Sequence, residues 1–306
     1  EGGQIRELFV DDIYNAEGTL KVQNKRFTPP VSLVNALETT DYSFSLINWD
    51  PDLYNVMLEA ESFVDALGKG NDLDGVITID ITFIQKLLDK WEGLEVPGES
   101  ELITSENIYN KIFEMHEEFT PGSDRKSTFL ANLANEAVTR LLSSNFSEYQ
   151  SIASVFEESL DEKHLQAVFK DSEATRFFDS KNWDGQLDSK YISAPIPIDW
   201  NWGANKANLY IKRDHNLDVE IGETDITYTY EISVVNESSS NTYPQGDYIN
   251  YSRIYIPSGA TILNIQGIEN NEYKIYKLIS KNKNKYSIPS LLILARITKN
   301  IADRIR

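Results

Sequence analysis

The chain has no cysteine, and only two methionines and three histidines among 306 residues. Without cysteine there is no disulfide stapling, no thiolate nucleophile and no cysteine metal site, a composition compatible with either side of a membrane. Long apolar runs are missing too. No stretch approaches the roughly eighteen apolar residues of a spanning helix, and the opening residues, EGGQIRELF, lack signal-peptide character. Phosphate loops, dinucleotide fingerprints and nucleophile motifs are also absent. Basic residues are scarce, 29 against 48 acids, and the resulting charge of −19 repels nucleic acid and anionic lipid from most of the surface. No nucleic-acid partner is expected. The exception is the end of the chain, where Tyr273 to Arg306 carry nine Lys or Arg and one acid, Asp303.

What is present is an apolar content of 41%, enough for one large core or two ordinary ones. The stretch Asp74 to Leu94 organises the first half. Val76, Ile77 and Ile79 read as a strand covered on both faces and central in its sheet. Asp80 is placed to cap a helix whose residues Phe83, Ile84, Leu87, Leu88 and Trp91 share one face, with Gly93 as its stop. Upstream, Gln4 to Asp11 and Thr19 to Gln23 read as short strands joined at Glu17-Gly18, and Pro29-Pro30 starts a brief helix. Asp50, with Pro51 following, reads as the cap of a helix that buries Leu53, Val56, Met57, Ala60 and Phe63. Downstream, three helices are predicted over 106–118, 124–143 and a third with Ser147 and Gln150 as a capping box. A strand over 164–169 and a short helix over 173–178 follow.

From Lys190 onward the period changes to two. LDVEI and DITYTYEISVVN alternate around Gly222-Glu223 and predict a hairpin; NYSRIYIP, ATILNIQG and YKIYKLI predict further strands. The expected fold is α/β, a mixed sheet flanked by helices over 1–188, followed by a β-rich antiparallel subdomain over 189–280. Ser290 then begins an amphipathic basic helix over the tail, 281–306, with Leu294, Ile297, Ile301 and Ile305 on one face. Docking onto protein is preferred over membrane binding for it.

The series DIYNAEGTLK, FTPPVSLVNAL, NWDPDLYNVM, DGVITIDITFIQKLL, LITSENIY, FLANLANEAVTRLL, NWDGQL, WNWGANKANLYIKR and NYSRIYIPSGA runs in order over roughly residues 2 to 267. In combination it resembles the bacterial domain of unknown function 4012 family. The resemblance implies an extracytoplasmic envelope protein, anchored by an N-terminal transmembrane helix outside this sequence, that binds or organises a surface polymer or partner protein, or forms part of a surface assembly or oligomer. DGVITIDITFIQKLLDKWEGLEV also resembles, more distantly, a segment of LytR, CpsA and Psr envelope proteins. That implies an alternative, a magnesium-dependent glycopolymer transferase acting on a polyprenyl-pyrophosphate carrier. FSLIN, Phe44 to Asn48, lacks the arginine related members often carry there.

Candidate ligand-binding residues are Trp200, Trp202, Asn205, Lys206 and Arg213 in WNWGANKANLYIKR, together with Arg253. Aromatic faces beside amide and cationic donors suit a sugar or peptide; they equally suit a tight connection, the preferred reading. Asp72, Asp74 and Gly75, like Asn182, Asp184 and Gly185, are fragments of a calcium loop without its terminal glutamate, so no metal site is assigned and Mg or Ca stays an unassigned option. His116, His164 and His215 share no spacing. Of the sequons at Asn145, Asn236 and Asn250, Asn236 in its polar loop is the first choice if any of them carries a glycan.

Overall fold

Asp80 ends one element and starts the next. Its Oδ1 accepts from the Thr82 and Phe83 amides and so caps the helix Ile81–Trp91, while its own amide donates to the His164 carbonyl. At the other end of that helix Glu92 turns left-handed (φ 57°) and Gly93 follows at φ 103°, which lets Leu94 pair with Ile103. The computed structural model describes residues 10–31, 33–34, 40–70, 73–117, 125–187, 194–201, 205–257, 259–266, 273–277, 289–297 and 302–305. It is mixed α/β with antiparallel sheets and a strand-rich C-terminal part. The chain divides into two units, Glu1–Gln186 and Leu187–Arg306.

The first unit runs α1 Ile13–Val22, a 3₁₀ turn Phe44–Trp49, α2 Leu53–Ala66, β1 Gly75–Ile79, α3 Ile81–Trp91, α4 Ile108–Glu117, α5 Arg125–Ser143, α6 Phe146–Asp161, β2 Leu165–Phe169 and α7 Ser172–Ser180. β1 and β2 form an antiparallel pair, Gly75 opposite Phe169 and Ile79 opposite Leu165. Only glycine fits at 75, because a Cβ there would overlap the Val168 carbonyl oxygen. On one face Val168 packs with Leu53, Val56 and Met57 of α2. On the other, Leu165 packs with Phe83, Ile152 and Trp183. A further core joins Leu88, Leu94, Ile103, Ile108, Phe129 and Leu133.

Several expectations are corrected here. β1 is not a central strand of a mixed sheet. Among the described residues β2 is its one partner, in an antiparallel pair, and the face that is covered over β2 stays open over β1, so Ile77 and Ile79 are 61% and 53% exposed. An apolar β-branched run suits an edge strand as well as one covered on both faces. Thr19 to Gln23 is not a strand; Thr19 to Val22 end α1 with Gln23 as its C-cap, and the helix, capped by Asp12, runs through Gly18 because Ala16 and Leu20 are buried. Gln4 to Phe9 lies outside the described residues, as does part of the brief helix after Pro30, where the Leu33 and Val34 amides bond the Pro30 carbonyl. The cap of α2 is Asp52 rather than Asp50, whose oxygens instead accept from the Asp52 amide and Asn55 Nδ2. For α6 the capping box is Asn145 and Glu148, shifting the predicted start by two residues.

The second unit consists of β3 Ile196–Asn201, a 3₁₀ turn Ala207–Tyr210, β4 Ile211–Ile221, β5 Ile226–Asn236, β6 Tyr248–Tyr255, β7 Tyr273–Lys277, β8 Pro289–Ile297 and β9 Ala302–Ile305. Two antiparallel sheets form, ordered β3-β6-β8-β7 and β4-β5-β9. Ile232 and Val234 from β5 pack with Tyr248 and Ile254 from β6, giving a sandwich core. The β4–β5 hairpin is as predicted, with the Gly222 amide bonded to the Asp225 carbonyl across its turn. Residues 260–266 are not a strand. Nor is the tail a helix: β8 pairs with β6 and β7 on its two sides, and β9 pairs with β5. Leu291 to Leu294 are four consecutive apolar residues, the pattern of an interior strand, which a helical stripe drawn through every third or fourth position passes over.

Candidate functional site

Most of the residues singled out in the sequence serve the sandwich rather than one site. β3 and β6 lie side by side with Asp199 opposite Ser252, Trp200 opposite Tyr251 and Ile198 opposite Arg253. Trp200 and Arg253 therefore share one face, and Asp199 and Asn250 share the other. Arg253 is 3% exposed and donates to the Tyr255 hydroxyl at 3.4 Å. Asn205 ties its loop together: its Oδ1 accepts from Asn201 Nδ2 at 3.0 Å and from the Ala207 amide at 3.1 Å, and its Nδ2 donates to the Asp247 carbonyl at 2.9 Å. The Lys206 amide donates to the Pro244 carbonyl, leaving an exposed side chain. Trp202 lies outside the described residues.

Arg213 points into the sandwich. On β4 it stands opposite Val234, and its Nε donates to Asp199 Oδ2 at 2.8 Å while an Nη donates to the Tyr248 hydroxyl at 2.7 Å. Asp199 Oδ1 accepts from Asn250 Nδ2 at 3.1 Å, which closes the network. Burial pushes the Tyr248 phenol up, opposed in part by the Arg213 charge. The guanidinium is consumed by internal partners, which is how a sandwich holds an arginine it has partly desolvated.

The sequence did not reveal the groove beside this network. β5 and the segment after β6 enclose about 840 Å³, lined by Ile226, Tyr228, Tyr230 and Ile232 on one side and by Ile254, Ile256, Ile262 and Ile265 on the other. Along the hairpin the inward positions Leu217, Val219, Ile221 and Ile226 continue the apolar alternation to the turn, where Ile221 is 80% exposed and Ile226 52%. The hairpin thus carries a core-type face into solvent, continuous with the groove. The Tyr230 hydroxyl lies 2.7 Å from His215 Nδ1, and burial, with the Asp199 charge second, raises its phenol to about 12. The missed signal was period-two alternation that does not fade toward the hairpin tip.

In the first unit a smaller hollow of about 440 Å³ lies among Glu95, Glu99, Glu101 and Glu136. Lys111 bridges Glu101 at 2.7 Å and Glu99 at 3.5 Å, and the hydrogen bond to Glu101 is the main reason its ammonium titrates higher than usual. Among the described residues, no three His, Asp or Glu side chains converge as metal ligands. Asp184 binds Gln186 through both oxygens, the Asp74 carbonyl accepts from the Lys170 amide, and Asp72 lies outside the described residues. His164 is engaged by Asp80 at 2.7 Å, and the side chain of His116 lies outside the described residues. The glycan expectation is corrected. Asn236 is 0% exposed, donates to the Gly246 carbonyl and accepts from the Ser238 amide, so it is core rather than loop surface. No helix among the described residues is long and apolar enough to cross a membrane. Compared with known protein families, curated proteins and solved structures, the chain matches none.

Proposed function

We propose that the chain is a noncatalytic binding ectodomain of the cell envelope, and that it holds a component of that envelope in the groove of its second unit. The observation that carries this reading is the groove itself. Its walls are isoleucines and tyrosines continuous with an exposed apolar hairpin face, which recognise a partner by shape and apolar area. The polar groups nearby support it, since Arg213, Asp199, Tyr248 and Asn250 are engaged with one another instead of facing a substrate.

The test is co-sedimentation of the whole chain with washed envelope fragments. Ile262→Trp and Ile265→Trp each fill the groove from the segment after β6, where both side chains line it and pack against the sandwich core. Each should weaken binding about tenfold, the loss of roughly 1.4 kcal/mol of contact. Binding unchanged in both variants refutes the reading.

A further inference from the structure

We infer that the groove takes a long, uncharged aliphatic chain, entering tail first with any polar head left in solvent. This rests on the groove being the binding site proposed above and names what it binds. Its volume of about 840 Å³ falls inside the roughly 300–1,000 Å³ of pockets that bury most of a small ligand. The lining combines Ile232, Ile254, Ile256, Ile262 and Ile265 with tyrosine, threonine and amide side chains, and burial of methylenes against those isoleucines supplies the affinity.

Charge then selects among aliphatic ligands. Among the described residues lining the groove there is no Lys, Arg or His, and Asp225 at the hairpin turn is the one carboxylate. The cation within the sandwich, Arg213, is held by Asp199 and the Tyr248 hydroxyl. Burial keeps the Tyr230 phenol neutral far into the alkaline range, so it offers a hydroxyl and no charge. An anionic head left at the hairpin end of the groove would face the exposed Asp225 carboxylate, on a chain that already carries −19. Free fatty acid carboxylates and organic sulfonates are thereby disfavoured against neutral chains of equal length.

The experiment compares two fluorescent probes on the full chain, neutral N-phenyl-1-naphthylamine and anionic 8-anilinonaphthalene-1-sulfonate, with neutral dodecanol as competitor. The neutral probe should saturate at one site per chain and be displaced by dodecanol. The anionic probe should bind about tenfold more weakly, the effect of one close like charge, and Asp225→Asn should narrow that gap. Ile262→Trp and Ile265→Trp should abolish saturation while the melting temperature holds; if one of them fails to fold, the other decides. Three results overturn the inference: neutral binding that does not saturate, binding that survives the groove-filling variants, or anionic binding as tight as neutral. The wild-type probe comparison decides even if neither variant folds. Probe binding without groove-dependent envelope binding would sink the proposed function but not this inference, and the reverse pattern would sink this inference alone.

Discussion

Replacing Arg213 by alanine perturbs the sandwich at the point where its two sheets share polar contacts. The substitution removes the 2.8 Å bond to Asp199, the 2.7 Å bond to the Tyr248 hydroxyl and the guanidinium lying 5.4 Å from the Tyr248 ring centre. It leaves Asp199 with Asn250 alone among these neighbours. Removing one partner of a buried pair costs roughly 3–5 kcal/mol, mostly through the charge left behind. The side chains of Arg213 and Asp199 are 25% and 20% exposed, so water reaches them in part and the lower end applies, about 3 kcal/mol. The paired change Arg213→Met with Asp199→Leu removes both charges together and is expected to cost no more than about 1 kcal/mol. Urea unfolding followed by circular dichroism, on Arg213→Ala, Arg213→Met, Asp199→Leu and the Met/Leu pair, gives the comparison, the last three with wild type closing a double-mutant cycle. If Arg213→Ala costs under about 1 kcal/mol, or the double variant is as damaged as the single one, the network is not the internal tie described.

Other outcomes follow from particular residues. Burial raises the Tyr230 phenol from 10.0 to about 12, so its contribution is complete below pH 10 and is lost as pH climbs toward 12. The melting temperature should hold up to pH 10 and then fall, and Tyr230→Phe should remove part of that fall along with one late-titrating tyrosine in the ultraviolet spectrum. Asn145→Ala breaks the capping box of α6 and should cost about 1 kcal/mol in thermal unfolding. Met57→Ala, at a fully buried site, should cost about 3 kcal/mol, whereas Ile77→Thr on the open face of β1 should stay within about 0.5 kcal/mol. After expression in a glycosylating host, intact mass should show Asn236 unmodified, since folding seals it from solvent.

Elements that local chemistry dictates were legible in the sequence. Asp80 caps its helix because an oxygen three residues ahead of Phe83 meets two free amides, and the β4–β5 hairpin follows from alternation on either side of a four-residue turn. The exposure of Ile77 was not legible, because the same β-branched run serves a central strand and an edge; the number of strands flanking it is a long-range fact. The tail failed for a related reason. Leu294, Ile297, Ile301 and Ile305 fit a helical stripe, yet Leu294 and Ile297 pair with β6 and Ile305 pairs with β5, reaching back to residues 248–255 and 232–235, which no local window contains. Of the candidate site residues, Asn205 and Arg213 were picked out for their donors, and those donors are spent on Asp247, Asp199 and Tyr248. The groove escaped notice because its two walls are separated by more than twenty residues and each alone reads as ordinary core.

The most direct test of the central claim is a methyl NMR titration of isoleucine-labelled protein with N-phenyl-1-naphthylamine. The methyls of Ile232, Ile254, Ile256, Ile262 and Ile265 should shift together and saturate at one equivalent, while those of Ile77 and Ile79, exposed on the first unit, stay in place. Shifts that concentrate on Ile77 and Ile79, or that spread over the protein without saturating, would contradict the account.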